Sequence, residues 1–266
     1  MAPLTAFVEG VGVLAPGLSG WAQSRPVLAG KSVFDPFPLE LPRVDLLPAA
    51  ERRRTGAPVK LAIWVGQDAL SHCAQEPEHL ATVFTSSGGD GDVIHETCSA
   101  LSGAEREISP TRFHNSVHNA PAGYWGVATR SHAPSTSLCC FDWSFAAGLM
   151  EALAQIKSDY PQVLLISFDT PYPEPIHSVR AIDAPFGSAL LLTRDKSARS
   201  LGAISLQLAT GLSESRMSDH GLETLRQGNP SARALPLLAA LAVRQVGNVI
   251  LDYLCGSQLK IALSQC

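Results

Sequence analysis

The residues of this chain whose types and spacing could do chemistry are Cys139, Cys140 and Asp142, in a segment from Phe113 to Leu153 that reads as helix, turn, short strand, sharp corner and helix. A side chain displayed where a strand turns into a helix faces unpaired backbone N–H groups and the positive end of the helix dipole. A cysteine at such a corner is a nucleophile in waiting, its thiolate favoured and its pKa below the free value of about 8.5. The corner residue here is Asp142. Its simplest role is an N-cap, accepting a first-turn N–H at ~1 kcal/mol of stabilisation. His114 and His118 lie four apart and could share a helix face as metal ligands, with Cys139 or Cys140 nearby. The spacing supplies no third and fourth ligand, so a packing role is the other reading.

The elements around the corner follow from periodicity. Ala120, Tyr124 and Ala128 mark a helix, which His132-Ala133-Pro134-Ser135 breaks before the β-prone run Thr136 to Phe141. Behind Asp142, residues Phe145, Leu149, Leu153 and Ile156 recur at helical spacing and give one broad apolar face. Upstream, Ala6 to Ala15 alternates like a strand and ends in Pro16-Gly17. The prolines between Asp35 and Pro48 predict an irregular surface connection. A buried helix is expected from Pro58 to Cys73, a strand from Ala81 to Ser86, and a short helix from Val93 to Leu101. Ser87-Gly88-Gly89-Asp90-Gly91 lets the backbone turn, and no Lys-Ser/Thr follows to make it a phosphate loop. Downstream, Val163 to Phe168, Phe186 to Thr193 and Leu201 to Ala209 read as strands. From Gly211 to Cys266 the expectation is a loop, one helix across Leu235 to Val246, and a last strand near Leu259 to Leu263. Strands alternating with helices make this an α/β layered fold.

Composition narrows the function. The chain has 266 residues, 45% of them hydrophobic and 17% charged, enough for a large core. A net charge of −4 argues against nucleic acid and anionic membrane as partners. Six cysteines without regular spacing suggest reduced thiols. Glu9 inside the first apolar run argues against a signal peptide, and Ala234 to Val243 is too short to cross a bilayer, so a cytoplasmic protein is expected. No cofactor is implied.

The block around the corner resembles the nucleophile region of the β-ketoacyl synthases of the thiolase superfamily. Pro110, Asn119 and Ala122-Gly123 match that pattern, and Ala133-Pro134-Ser135 stands in its Gly-Pro-Ser position. Gly10, Gly12, Ala15 and Pro16, then Leu28-Ala29-Gly30, match its opening. Ten positions on from Ala133, counted inclusively, where the family carries its catalytic cysteine, stands Asp142. The resemblance implies a thiolase-like fold whose first half, residues 1–209, is essentially complete and whose second half, residues 210–266, is a short remnant packed on it. His220-Gly221-Leu222-Glu223-Thr224 resembles the family's His-Gly-Thr-Gly-Thr motif without its middle threonine and glycine.

A synthase-like chain without its cysteine resembles a chain length factor, a pseudoenzyme that forms a heterodimer with an active synthase and closes the end of a shared acyl tunnel. The Phe113 to Asn119 block is similar to subunits of aryl-polyene-type pathways. The expected partners are then a catalytic β-ketoacyl synthase and an acyl carrier protein, with self-association when the chain is isolated. Interface or tunnel residues are expected at His114, His118, Asn119, Tyr124, Trp125, Phe141 and Asp142, and carrier docking at Arg52, Arg53 and Arg54. The rival reading is a small acyl-transfer or malonyl-decarboxylating enzyme that uses Cys139 or Cys140, with His114, His118 or His220 as base.

Overall fold

The computed structural model describes residues 3–73, 75–104 and 106–266. Its strands are β1 (Leu4–Ala15), β2 (Leu18–Ser19), β3 (Ala81–Thr85), β4 (Ser135–Leu138), β5 (Gln162–Asp169), β6 (Phe186–Thr193), β7 (Gly202–Thr210), β8 (Gly247–Asp252) and β9 (Ser257–Ser264). Its helices are α1 (Trp21–Leu28), α2 (Ala49–Arg52), α3 (Ala57–Leu70), α4 (Gly91–Ser102), α5 (Pro110–Asn115), α6 (Ala120–Thr129), α7 (Ser144–Ser158), α8 (Ile176–Val179), α9 (His220–Gly228) and α10 (Leu235–Ala242). The strands form one mixed sheet in the order β4-β3-β5-β6-β1-β7-β9-β8, with β2 hairpinned onto β1. β3 runs parallel to β4 and β5, and the other pairings are antiparallel.

Helices cover both faces, so the central strands are apolar throughout instead of alternating. Along β5, Val163 and Leu165 face the core shared with α7 and α10, while Leu164, Ile166 and Phe168 face the core shared with α3 and α6. Glycines let α3 lie directly on β1. A Cβ on Gly12 would sit 2.0 Å from the Val65 carbonyl oxygen, and one on Gly10 as close to that of Ala69. Asp68 of α3 fastens the turn after β1, its Oδ2 accepting from Val13 N (3.1 Å) and Trp21 N (2.8 Å). Burial pushes this carboxyl above its ordinary range, and those two bonds draw it partly back.

β4-β3-β5-β6-β1 continues in the same sheet into β7, β9 and β8, of which β8 and β9 come from the residues after 210. β9 pairs with β7 from Ala203 to Thr210, and β8 closes the far edge. The expected C-terminal helix begins as a 3-10 turn, Ser231–Ala234, and its α-helical part stops at Ala242, before Arg244 at φ 51. α9 and β8 stand where a loop was expected. α9 is capped by Asp219, whose Oδ1 accepts from Leu222 N at 3.0 Å.

The buried Arg226 guanidinium binds Glu223 twice, at 2.8 Å each, and Glu214 at 2.8 Å. The bonds from Arg226 first, then those from Met217 N and the Gln227 amide, hold the Glu223 carboxyl at about 2 against an ordinary 4.5. A depressed folded-state pKa contributes stability that is present above the unfolded value and lost as pH falls from 4.5 toward 2. Glu223→Gln should therefore flatten the fall in urea midpoint between pH 5 and pH 3, read by denaturation at each pH. An unchanged slope would show that the pair makes no contribution.

Candidate functional site

β4 ends at Leu138, three residues earlier than the sequence predicts, because the backbone turns sharply over Cys139 to Trp143. Phe141 has φ 52, a left-handed conformation that a bulky residue adopts only when its surroundings impose it. The surroundings do so. Trp143 N donates to Cys140 O (3.0 Å), Cys140 N donates to Ser144 Oγ (3.0 Å), and that hydroxyl donates to Phe141 O (2.7 Å). The Phe141 ring is half exposed, and the Arg180 guanidinium carbon lies 3.6 Å above its centroid. Trp143 Nε1 donates to Asp252 at the end of β8 (3.2 Å), which ties the corner to the C-terminal hairpin.

Asp142 is not the cap of α7. The N-cap is Trp143, without a side-chain cap bond. The carboxylate turns instead to Arg180, with Oδ1 accepting from Nη2 at 2.7 Å, and toward Arg233, whose Nη2 stands 3.7 Å from Oδ2. Both partners come from segments far along the chain, which is why local spacing suggested a cap.

Burial, then the neighbouring Cys139, raises the Cys140 pKa above its ordinary value and keeps that thiol protonated. Cys139 donates its S–H to Ser87 O at 3.1 Å. Among the described residues, neither thiol hydrogen-bonds a histidine. His118 Nε2 engages Ser86 O at 3.2 Å, His114 is exposed on α5, and His220 is exposed at the start of α9. His114 and His118 do not share a helix face, because α5 ends at Asn115 and His118 lies in the turn before α6. No cluster of three or more potential metal ligands occurs among the described residues.

Tyr124 and Trp125 lie inside the chain and not on its surface, at 5% and 2% exposure. Trp125 meets Phe84 edge to face at 6.4 Å, and Tyr124 donates its hydroxyl to Asn115 Oδ1 at 3.0 Å. Exposed positions of the same region are Asn119, Phe113, Val117 and Val127. Between α6 and the free edge of β4 runs a groove of 640 Å³ lined by Asn119, Gly123, Val127, Arg130, Ser135 and Ser137. The arginine cluster is divided. Arg52 is spent on Val44 O, Asp45 and Leu47 O and Arg54 pairs with Glu51, while Arg53 is exposed.

Behind the corner lies a buried polar knot that the sequence reading passed over. The fully buried Asp169, at the end of β5, accepts from Ser87 N (2.8 Å), Ser87 Oγ (2.8 Å) and Ser86 Oγ (3.1 Å) on one oxygen, and from Ser231 Oγ (2.7 Å) on the other. Burial pushes its carboxyl up and these four donors pull it back. Asn229 adds its amide to Asp169 O (3.2 Å) and Ala184 O (2.8 Å). The knot fastens the ends of β3 and β5 to the turn that carries Arg233. Its one sequence signal was an aspartate ending an apolar strand beside a Ser-Ser that ends its neighbour.

Residues 22–245 match the family described as beta-ketoacyl synthase, N-terminal domain, and the chain belongs to that family. Its layered fold is thiolase-like. Among solved structures it is similar to the ketosynthase (ApeO) in complex with its chain length factor (ApeC) from Xenorhabdus doucetiae, at 23% identity over 97% of this chain and 99% of that one, with a TM-score of 0.74. It is similar to the ishigamide ketosynthase/chain length factor at 13% identity, the same coverages and a TM-score of 0.74. A third neighbour, AntDE:AntF, is a type II polyketide acyl-carrier protein in complex with its ketosynthase bound to the hexaketide, with 10% identity, full coverage of both chains and a TM-score of 0.76. No curated protein matches the chain. Among the described residues no helix is long and apolar enough to cross a membrane.

Proposed function

We propose that this chain is a non-catalytic β-ketoacyl synthase-like subunit, a chain length factor, that pairs with an active ketosynthase and shapes its acyl tunnel in polyene or fatty-acid-type biosynthesis. The observation that carries the reading is the corner itself. The resemblance puts Asp142 where the family carries its cysteine, and here that side chain is ion-paired to Arg180 at 2.7 Å, beside a thiol whose pKa burial raises. Decarboxylative condensation needs a thiolate to hold the acyl chain and donors to stabilise the enolate and oxyanion. A carboxylate is no substitute, since an acyl anhydride lies uphill from a thioester.

The pairing surface is the free edge of β4 with the groove beside α6, which exposed Val127 lines, and Phe113, Val117 and Phe141 are further exposed apolar side chains of the same chain segment. Exposed apolar side chains beside an open strand edge are what a permanent partner covers. The neighbours that hold a ketosynthase with a chain length factor, and one with an acyl-carrier protein, support both partners. Arg53 and Arg54 remain the carrier-docking candidates, and an aryl-polyene-type product is the favoured pathway class.

Asp142→Cys, incubated with malonyl and acyl thioesters alone, should give no condensation product, and the unmodified chain should show no acyl adduct on Cys139 or Cys140 by intact-protein mass spectrometry. Condensing activity from that variant, or an acyl adduct on Cys139 or Cys140 of the unmodified chain, would make it an enzyme in its own right.

A further inference from the structure

Arg233 is short of partners. Its Nη2 stands 3.7 Å from Asp142 Oδ2 and its Nη1 3.6 Å from Glu214 Oε1, both beyond hydrogen-bond range. Its Nε is buried and, among the described residues, unpartnered. A guanidinium offers five donors in a fixed fork and suits a carboxylate that can present both oxygens. Arg180 reaches the same carboxylate from the other side, at 2.7 Å. The tether of Asp142 lets it hydrogen-bond Arg180 and reach Arg233 only loosely.

We propose that the corner is an anion-binding pocket, formed by Arg180 and Arg233, whose occupant is the chain's own Asp142 side chain, and that a small free carboxylate takes the pocket when that side chain is removed. This rests on the reading of Asp142 as standing in the nucleophile's place: the chain has not only lost a thiol but has filled the position with a fixed anion. Two guanidinium cations around one position, one of them over the half-exposed Phe141 ring, would otherwise attract a substrate carboxylate. Asp142, together with Glu214 at 3.6 Å from Arg233, offsets them from within and closes the position to it. A free carboxylate is not bound by the tether and can settle closer to Arg233 than Asp142 does.

The test removes the carboxylate and returns it as a separate molecule. Asp142→Ala deletes one carboxylate group, and formate is that group as an ion. With the chain alone, the thermal midpoint of Asp142→Ala should fall below that of the unmodified chain by about 3 °C or more. Formate should then restore at least half of the loss in a saturable way, and sodium chloride at matched ionic strength should not. The unmodified chain and the Asp142→Ala/Arg233→Ala double variant should not distinguish formate from chloride. Equal responses of Asp142→Ala to the two salts, or an equal formate response in the double variant, would overturn the proposal. If Asp142→Ala does not fold in chloride, the yield of refolded protein in formate replaces the midpoint, and Asp142→Ser provides the titration. No formate dependence in that variant would equally overturn it. No ketosynthase enters the experiment, so its failure leaves the pairing reading standing, and a failure of pairing leaves this result standing.

Discussion

Asp169→Ala is expected to lower the unfolding free energy by ~3 kcal/mol, seen as a fall in urea midpoint with an unchanged slope. One carboxylate oxygen serves three donors and the other a fourth, all in a fully buried place. Ser231 can turn its hydroxyl to Ser167 Oγ, 2.9 Å away, only if Ser167 turns away the hydroxyl that it now donates to Ser231, and Ser87 N has no such choice. A buried donor left without an acceptor costs ~1–3 kcal/mol, and truncation leaves more than one, while the relief of desolvating the carboxylate returns a part. Asp169→Asn keeps the oxygen that three donors share and offers its amide to Ser231 Oγ, so its loss should stay below ~1 kcal/mol. An Ala variant within 1 kcal/mol of the unmodified chain would mean that the knot does not fasten β3, β5 and the Arg233 turn.

The second large effect concerns the open edge. Pro134 O and Leu138 O accept from Thr82 N (3.0 Å) and Ser86 N (3.3 Å) on β3. In a parallel ladder the residues that face the neighbour alternate, so Thr136 turns its backbone toward β3, and Ser135 and Ser137 turn theirs to the free edge. Ser137→Pro removes one outward N–H, places a ring at the rim of the α6 groove and takes nothing from the β3 ladder. If this edge meets the ketosynthase, the variant should lose the complex by roughly 100-fold or more in Kd while its own stability moves by less than ~1 kcal/mol. Thr136→Pro is the control, since it removes an inward donor and should damage the fold itself. Undiminished pairing by Ser137→Pro would move the interface away from β4.

The elements with strong one-dimensional signals were legible. The apolar runs of α3, β3, β5 and β6 and the helical spacing of α7 gave the layered core, while Gly10 and Gly12 were read only as part of an opening pattern and not as the place where α3 lies close. α9 was missed because its residues are mostly polar and only Leu222 and Leu225 bury an apolar face. β8 was missed because it is a short edge strand joined to β9 by a tight turn. At the site, the corner and its residue were legible and its chemistry was not. Arg180 and Arg233 lie 38 and 91 positions beyond Asp142, and no periodicity reports such a pairing. Tyr124 and Trp125 were read as interface anchors because α6 is apolar nearly all round, so its pattern does not say which side is core. His114 and His118 seemed to share a face because one helix was assumed where a turn divides two.

The central claim is that the chain acts only in company. The measurement that tests it most directly is co-expression with candidate ketosynthase subunits, isolation of any complex, and elongation of an acyl chain on carrier protein with and without this subunit. The account predicts a stoichiometric complex that elongates to a defined length, and a ketosynthase that does not do so alone. No complex with any ketosynthase, together with acyl transfer by the isolated chain, would contradict it.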